Sequence, residues 1–147
     1  MKRIPLYEVR RSGYLAPETG DGEPLSGPAG AVAAIRAMLD DKGLESVVVL
    51  ALNTRRIIVG AQVISTGTLT QSLAHPREIF RMAIQLNAAA IVVGHNHPSG
   101  DPSPSPDDHA LTKRLRESAE LLGIPLIDHI IVAENGKYSY AETGWNF

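Results

Sequence analysis

At 147 residues the chain fits one domain, long enough to bury about two-thirds of the surface its unfolded form exposes, so it needs no disulfide or structural metal to fold. The apolar fraction of 44% and charged fraction of 20% are those of an ordinary globular protein, and no apolar run is long enough to span a bilayer or to serve as a secretion signal, so a cytoplasmic protein without a membrane contact is expected. A net charge of -2 and a pI near 6.2 give no broad electropositive field of the kind a stand-alone nucleic-acid binder shows, and the lack of cysteine leaves only the five histidines and the carboxylates to hold a transition metal.

The first 22 residues carry Gly13, Pro17, Gly20 and Gly22 among charges and read as an extended arm, with one short strand near Ile4 to Val9; the domain proper is expected over 23–147. From Ala29 to Asp41, Val32, Ile35, Met38 and Leu39 recur at helical spacing, and Gly43 stands where a C-terminal cap is expected. Glu45–Leu52 and Ile57–Ser65 are β-branched runs joined by Asn53-Thr54-Arg55-Arg56, which predicts a hairpin. Helical spacing returns over His75–Asn87 through Ile79, Phe80, Ala83 and Leu86, with Pro76 in the first turn, where its missing N–H costs nothing.

Ala89–Gly94 is almost wholly apolar, as a strand buried on both faces would be. A proline-rich loop leads to a third helix from Pro106 to Leu122, stopped by Gly123. Pro125–Ala133 and Tyr138–Ala141 close the chain as a hairpin around Glu134-Asn135-Gly136. This order predicts an α/β (α+β) single domain, a mixed sheet flanked by helices.

The segment with chemical content runs from Gly94 to Asp108. His95 and His97 are two apart at the end of a buried strand, so an extended backbone turns both imidazoles to one side. Asp108, in the first turn of the next helix, can return beneath them because Pro98, Pro102 and Pro104 restrict the loop. Two histidines and one carboxylate leave a fourth tetrahedral position for water, the mark of a catalytic rather than a structural zinc site. Ser105 stands three residues before the aspartate, where its hydroxyl can donate to a developing oxyanion. A structural reading also fits parts of this pattern: Ser105-Pro106-Asp107-Asp108 resembles a helix capping box, and two histidines at a strand end can be one packed and one exposed. The two readings of Ser105 and Asp108 are compatible.

His95-x-His97-Pro98, followed by Ser105-x-x-Asp108, resembles the JAMM motif of the JAB/MPN metalloenzymes. His75-Pro76-Arg77-Glu78, Asn87-Ala88-Ala89-Ala90, His95-Asn96-His97-Pro98-Ser99-Gly100-Asp101-Pro102 and Asp128-His129 narrow the likeness to the bacterial RadC branch, over about Glu23 to Gly144. The resemblance implies the MPN fold, a curved mixed sheet with helices layered on it in the manner of cytidine deaminase. It implies one zinc per chain on His95, His97 and Asp108, with Ser105 beside the reacting carbonyl. For the catalytic glutamate the resemblance favours Glu45, just ahead of the first long strand, over Glu78, which suits the first turn of its own helix. Of the other histidines, His75 is expected to cap a helix or be exposed, His109 to be exposed, and His129 to be a satisfied core residue.

The activity so implied is that of a zinc metallopeptidase or isopeptidase, with a protein or peptide as partner; the sequence encodes neither the identity of that substrate nor the oligomeric state. The competing expectation is a DNA-repair-associated accessory or scaffold of the RadC type without hydrolytic activity. The helix-hairpin-helix segment of many relatives has no room in the arm before Glu23, and with the mild acidity this disfavours direct nucleic-acid binding.

Overall fold

The computed structural model describes residues 5, 8, 10–13, 22–39, 43–66 and 74–145. Its elements are α1 (Pro28–Met38), β1 (Ser46–Leu52), β2 (Ile58–Thr66), α2 (Pro76–Gln85), β3 (Ala90–Asn96), α3 (Pro106–Leu122), β4 (Leu126–Ala133) and β5 (Gly136–Ser139). The expected arm and its strand at Ile4 to Val9 lie largely outside the described residues.

The strands form one sheet in the order β2-β1-β3-β4-β5. Strand β1 is antiparallel to both β2 and β3, β3 and β4 are parallel, and β5 returns antiparallel on β4. The parallel pair requires a crossover, which α3 supplies. Helix α1 covers one face through Ala31, Ala34 and Ile35 against Val48, Leu50, Val92 and Ile130. Helices α2 and α3 cover the other through Ile79, Phe80, Leu111 and Leu115 against Val47, Val49, Ile91 and Val93. Alternation along each strand sends neighbouring side chains to opposite layers. Every residue of β1 and of β3 is consequently buried. The expected α/β (α+β) domain, a mixed sheet with flanking helices, is what the chain forms.

Local chemistry explains most boundaries. In the β1–β2 hairpin Asn53 Oδ1 accepts from the N–H groups of Arg55 (2.9 Å) and Ile57 (3.0 Å), and Arg56 takes a positive φ of 62°. His75 caps α2, its Nδ1 accepting from Arg77 N at 3.1 Å, as expected. Gly123, at φ 69°, ends α3 where the sequence indicates. Helix α1 departs from expectation: it stops at Met38 with Leu39 as its cap, so Gly43 does not cap it. The last turn is also tighter than expected. Ala133 pairs with Gly136 across the two residues Glu134 and Asn135, so Gly136 opens β5, which ends at Ser139 rather than Ala141.

Candidate metal centre

Three elements meet at the C-terminal end of β3. Strand β3 runs through His95, and His97 continues its pairing, its N–H donating to Val132 O on β4 at 2.9 Å. The rings of His95 and His97 fall on the same side, with their Nε2 atoms 3.0 Å apart. Asp108, at the third position of α3, faces both: Oδ1 is 3.1 Å from His95 Nε2, and Oδ2 is 3.1 Å from His97 Nε2. His95 is fully buried and Asp108 nearly so, whereas His97 keeps an open edge.

The loop that returns Asp108 to the histidines is held at several points. Gly100, at φ 89°, donates its N–H to His97 O (3.1 Å), and its carbonyl accepts from Asn135 N (3.2 Å), tying the loop to the β4–β5 turn. Asp101 Oδ1 accepts from Ser103 N at 2.9 Å. Ser105 and Asp108 form a reciprocal capping box: Asp108 N donates to Ser105 Oγ (3.2 Å), and Ser105 N donates to Asp108 Oδ2 (2.8 Å). The same hydrogen bonds that start α3 aim its carboxylate.

The donor set fits a divalent transition metal. Among the described residues, ligand atoms of His95, His97 and Asp108 all lie within 4.8 Å of one another. A tetrahedral zinc site with bonds near 2.0–2.1 Å spaces its ligand atoms roughly 3.3 Å apart, close to the 3.0–3.1 Å found here. His97 Nδ1 lies 2.9 Å from the carbonyl oxygen of Asp101, which can only accept, so the neutral ring carries its proton there and turns the Nε2 lone pair inward. Lone pairs and a carboxylate at this range require a cation between them, protons or a metal.

The electrostatics agree. Burial alone would push the Asp108 carboxyl up, but hydrogen bonds from His95 and His97 outweigh it and hold the group well below the usual carboxylate range. The hydrogen bond to Asp108 raises His97 against the opposing effect of burial, with further contributions from the Asp101 carbonyl and the charges of Asp108 and Glu45. His129 is lowered well below its ordinary value by burial and then by the neighbouring His95.

Glu45 sits immediately before β1 and is half-buried. The register that pairs Val47 with His95, run two residues further, sets Glu45 opposite His97. Asn96 brackets it: the side-chain Nδ2 donates to Leu44 O (2.8 Å), and Oδ1 accepts from Ser46 N (2.7 Å). Glu78 instead stays on α2, paired with Arg81 at 3.4 Å and with Arg77 at 3.9 Å. His109 is not exposed as expected. Its ring stacks on Trp145 and its Nδ1 lies 3.0 Å from the Tyr140 hydroxyl, because Tyr140 and the following turn fold back over α3.

His129 is the satisfied core residue expected, wholly buried between His95 Nδ1 (2.8 Å) and Thr112 Oγ1 (2.6 Å). Sequence reasoning passed over Asn96 and Thr112. Thr112 follows Asp108 by one helical turn, and Asn96 lies between the two histidines, so spacing alone carried a signal for both. Beside His97 a cleft of about 320 Å³ runs between α1 and the β4–β5 turn, lined by Arg36, Leu39, Asn96, Pro98, Val132 and Glu134.

Residues 25–145 match the family model of the RadC-like JAB domain. A protein of Thermotoga maritima described as a UPF0758 protein is 46% identical over 100 residues, 68% of this chain and 45% of that protein. A UPF0758 protein of Trichormus variabilis is 45% identical over 128 residues, covering 86% of this chain and 53% of the relative. One from Enterococcus faecalis is 47% identical over 109 residues, 73% and 47% of the two chains. The chain spans about half the length of these relatives. With the motif residues gathered at one point and the family model matched across nearly all of the described core, the chain belongs to the RadC-like JAB domain family.

Proposed function

We propose that the chain is a zinc-dependent hydrolase of amide or isopeptide bonds, with His95, His97 and Asp108 as protein ligands and a water as the fourth. The observation that carries this reading is the convergence of two imidazole Nε2 atoms and both oxygens of one carboxylate within 3.0–3.1 Å, on a side where His97 remains open to solvent. Zinc, when bound, supplies a Lewis acid and brings the pKa of its water from 15.7 to about 7.

The remaining work falls to the chain's own groups. Glu45 is the general base, taking the proton of the attacking water and returning it to the departing amine. Its half-buried position opposite His97 and the effect of its charge on that ring support the role. The Ser105 hydroxyl accepts the Asp108 N–H through its oxygen, which leaves its own proton to donate to the substrate carbonyl as charge develops there.

The test is hydrolysis of peptide and isopeptide substrates by the zinc-loaded protein. Glu45→Gln is expected to retain metal while losing about 10²-fold or more of the rate. Full turnover with zinc retained in that variant would contradict the assignment of Glu45. A zinc-loaded wild type that cleaves no amide, together with a DNA affinity that falls steeply with salt, would favour the accessory reading instead.

A further inference from the structure

The antiparallel ladder between β1 and β3 runs from Leu52 opposite Ala90 to Val47 opposite His95, and Glu45 lies two residues beyond that last pair. Past this point the side chain of Asn96 does what a neighbouring strand's backbone does elsewhere. Its Oδ1 accepts from Ser46 N at 2.7 Å and its Nδ2 donates to Leu44 O at 2.8 Å, so one amide grips the main chain on either side of Glu45. The two partners fix which way the amide faces, because a backbone N–H can only donate and a backbone carbonyl can only accept. Asn96 and Ser46 are both buried, so water is no ready replacement for these bonds.

Strand alternation gives the grip its consequence. Val47, Val49, Ile91 and Val93 pack in the layer of α2 and α3, whereas Val48, Leu50, Ala90 and Val92 pack in the layer of α1. Counted on in steps of two, His95 and His97 continue the face of Val93, and Glu45 in an extended chain continues the face of Val47. Asn96, between the two histidines, falls on the other face. By holding residues 44 and 46 it keeps the entering chain extended, and Glu45 stays on the side of His95, His97 and Asp108. A twist of the chain at this point would turn Glu45 toward the opposite layer.

We propose that Asn96 is a positioning residue for Glu45, its amide carrying the alternation of β1 two residues past the ladder and holding Glu45 on the sheet face of His95 and His97. Three consecutive residues then do two jobs: the histidines offer ligand atoms on one face, and the asparagine between them fixes the strand that bears the base. The catalytic consequence rests on the reading of Glu45 as general base given above, whereas the grip itself exists without metal.

NMR of the metal-free, isotope-labelled protein reads the grip. The Ser46 amide is expected to exchange slowly with solvent, and about 10-fold or more faster in Asn96→Ala. The backbone order parameter at Glu45 is expected near the rigid value of about 0.85 in the wild type and to fall toward about 0.6 in the variant. In the zinc-loaded protein, Asn96→Ala is expected to lower kcat on a peptide or isopeptide substrate by about 10²-fold, the cost of misplacing a reacting group by about 1 Å, while KM and zinc affinity hold. Introduced into Glu45→Gln, the same substitution is expected to lower kcat no further, because its effect passes through Glu45.

Unchanged Ser46 exchange and unchanged Glu45 order in Asn96→Ala, or a full additional loss of kcat in the Glu45→Gln background, would overturn the proposal. A zinc-loaded wild type that cleaves no amide would remove the general-base reading, and the exchange and order at residues 45 and 46 would still decide the grip. Should Asn96→Ala not fold, Asn96→Asp, which keeps the acceptor for Ser46 N and gives up the donor to Leu44 O, takes its place with the same directions expected.

Discussion

Asp128 shows how a single buried group shapes the pH response. Its Oδ2 accepts from Ser139 Oγ (2.6 Å) and its Oδ1 from Ala141 N (3.0 Å), which fastens the end of β5 to β4. Burial pushes its carboxyl up from the ordinary 3.8, against these hydrogen bonds. A carboxyl that holds its proton more tightly in the native than in the unfolded chain loses stability as pH rises from about 3.8 to its native pKa, and the loss is constant above that. Asp128→Asn is expected to gain on the wild type across that window in urea unfolding at stepped pH; a flat difference would contradict the account. The sequence showed His129 as a core histidine because it lies in an apolar strand, and the spacing of the motif brought Asp108 to His95 and His97. It did not show what His109 contacts, because its partners Tyr140 and Trp145 lie at the far end of the chain, and a tertiary contact leaves no local spacing.

At the scale of elements, α3 begins and the metal centre is aimed by the same four residues, so the two roles of the capping box can be separated. Ser105→Ala removes the cap and is expected to cost about 1 kcal/mol of stability while leaving the metal bound. Asp108→Asn keeps an acceptor for the Ser105 N–H but gives up the anionic ligand, and is expected to keep most of the stability and lose the metal. Thermal unfolding and metal analysis of the two variants check this; identical losses in both would contradict it. The packing of α1 on the sheet is set at Gly94, where an added Cβ would lie 2.5–2.9 Å from three atoms of Ile35. Gly94→Ala is expected to destabilise by about 1–3 kcal/mol, with partial recovery when Ile35 is trimmed to Val, readable by a double-mutant cycle in denaturant. The helices were legible because a 3.6-residue period is a local property, and the central strands because an unbroken apolar, β-branched run is one as well. The closing hairpin at Glu134-Asn135-Gly136 was legible too, but the stop of α1 at Met38 and the exact bounds of that turn were not: the cap glycine expected at Gly43 is unused, and the Asn-Gly pair straddles the turn and the strand. Arg36 holds that turn from α1 by donating to Ala133 O (3.0 Å) and Gly136 O (3.2 Å), a contact no turn preference encodes.

For the whole molecule, the consequence of a metal held by residues of β3, the segment after it and α3 would be linkage between metal and fold. Zinc at about a hundredfold excess over its Kd would stabilise the native state by about 2.7 kcal/mol. For a domain of this size that is a rise in Tm of roughly 5–10 °C, reversed by chelation. Among the described residues no helix is long and apolar enough to cross a membrane. The central claim, that His95, His97 and Asp108 bind a metal, is tested most directly by elemental mass spectrometry of untagged protein beside a His97→Ala control. The account predicts about one zinc per chain in the wild type and its loss in the control. A wild type that holds no metal after zinc is offered near neutral pH, or a control that holds as much as the wild type, would contradict it.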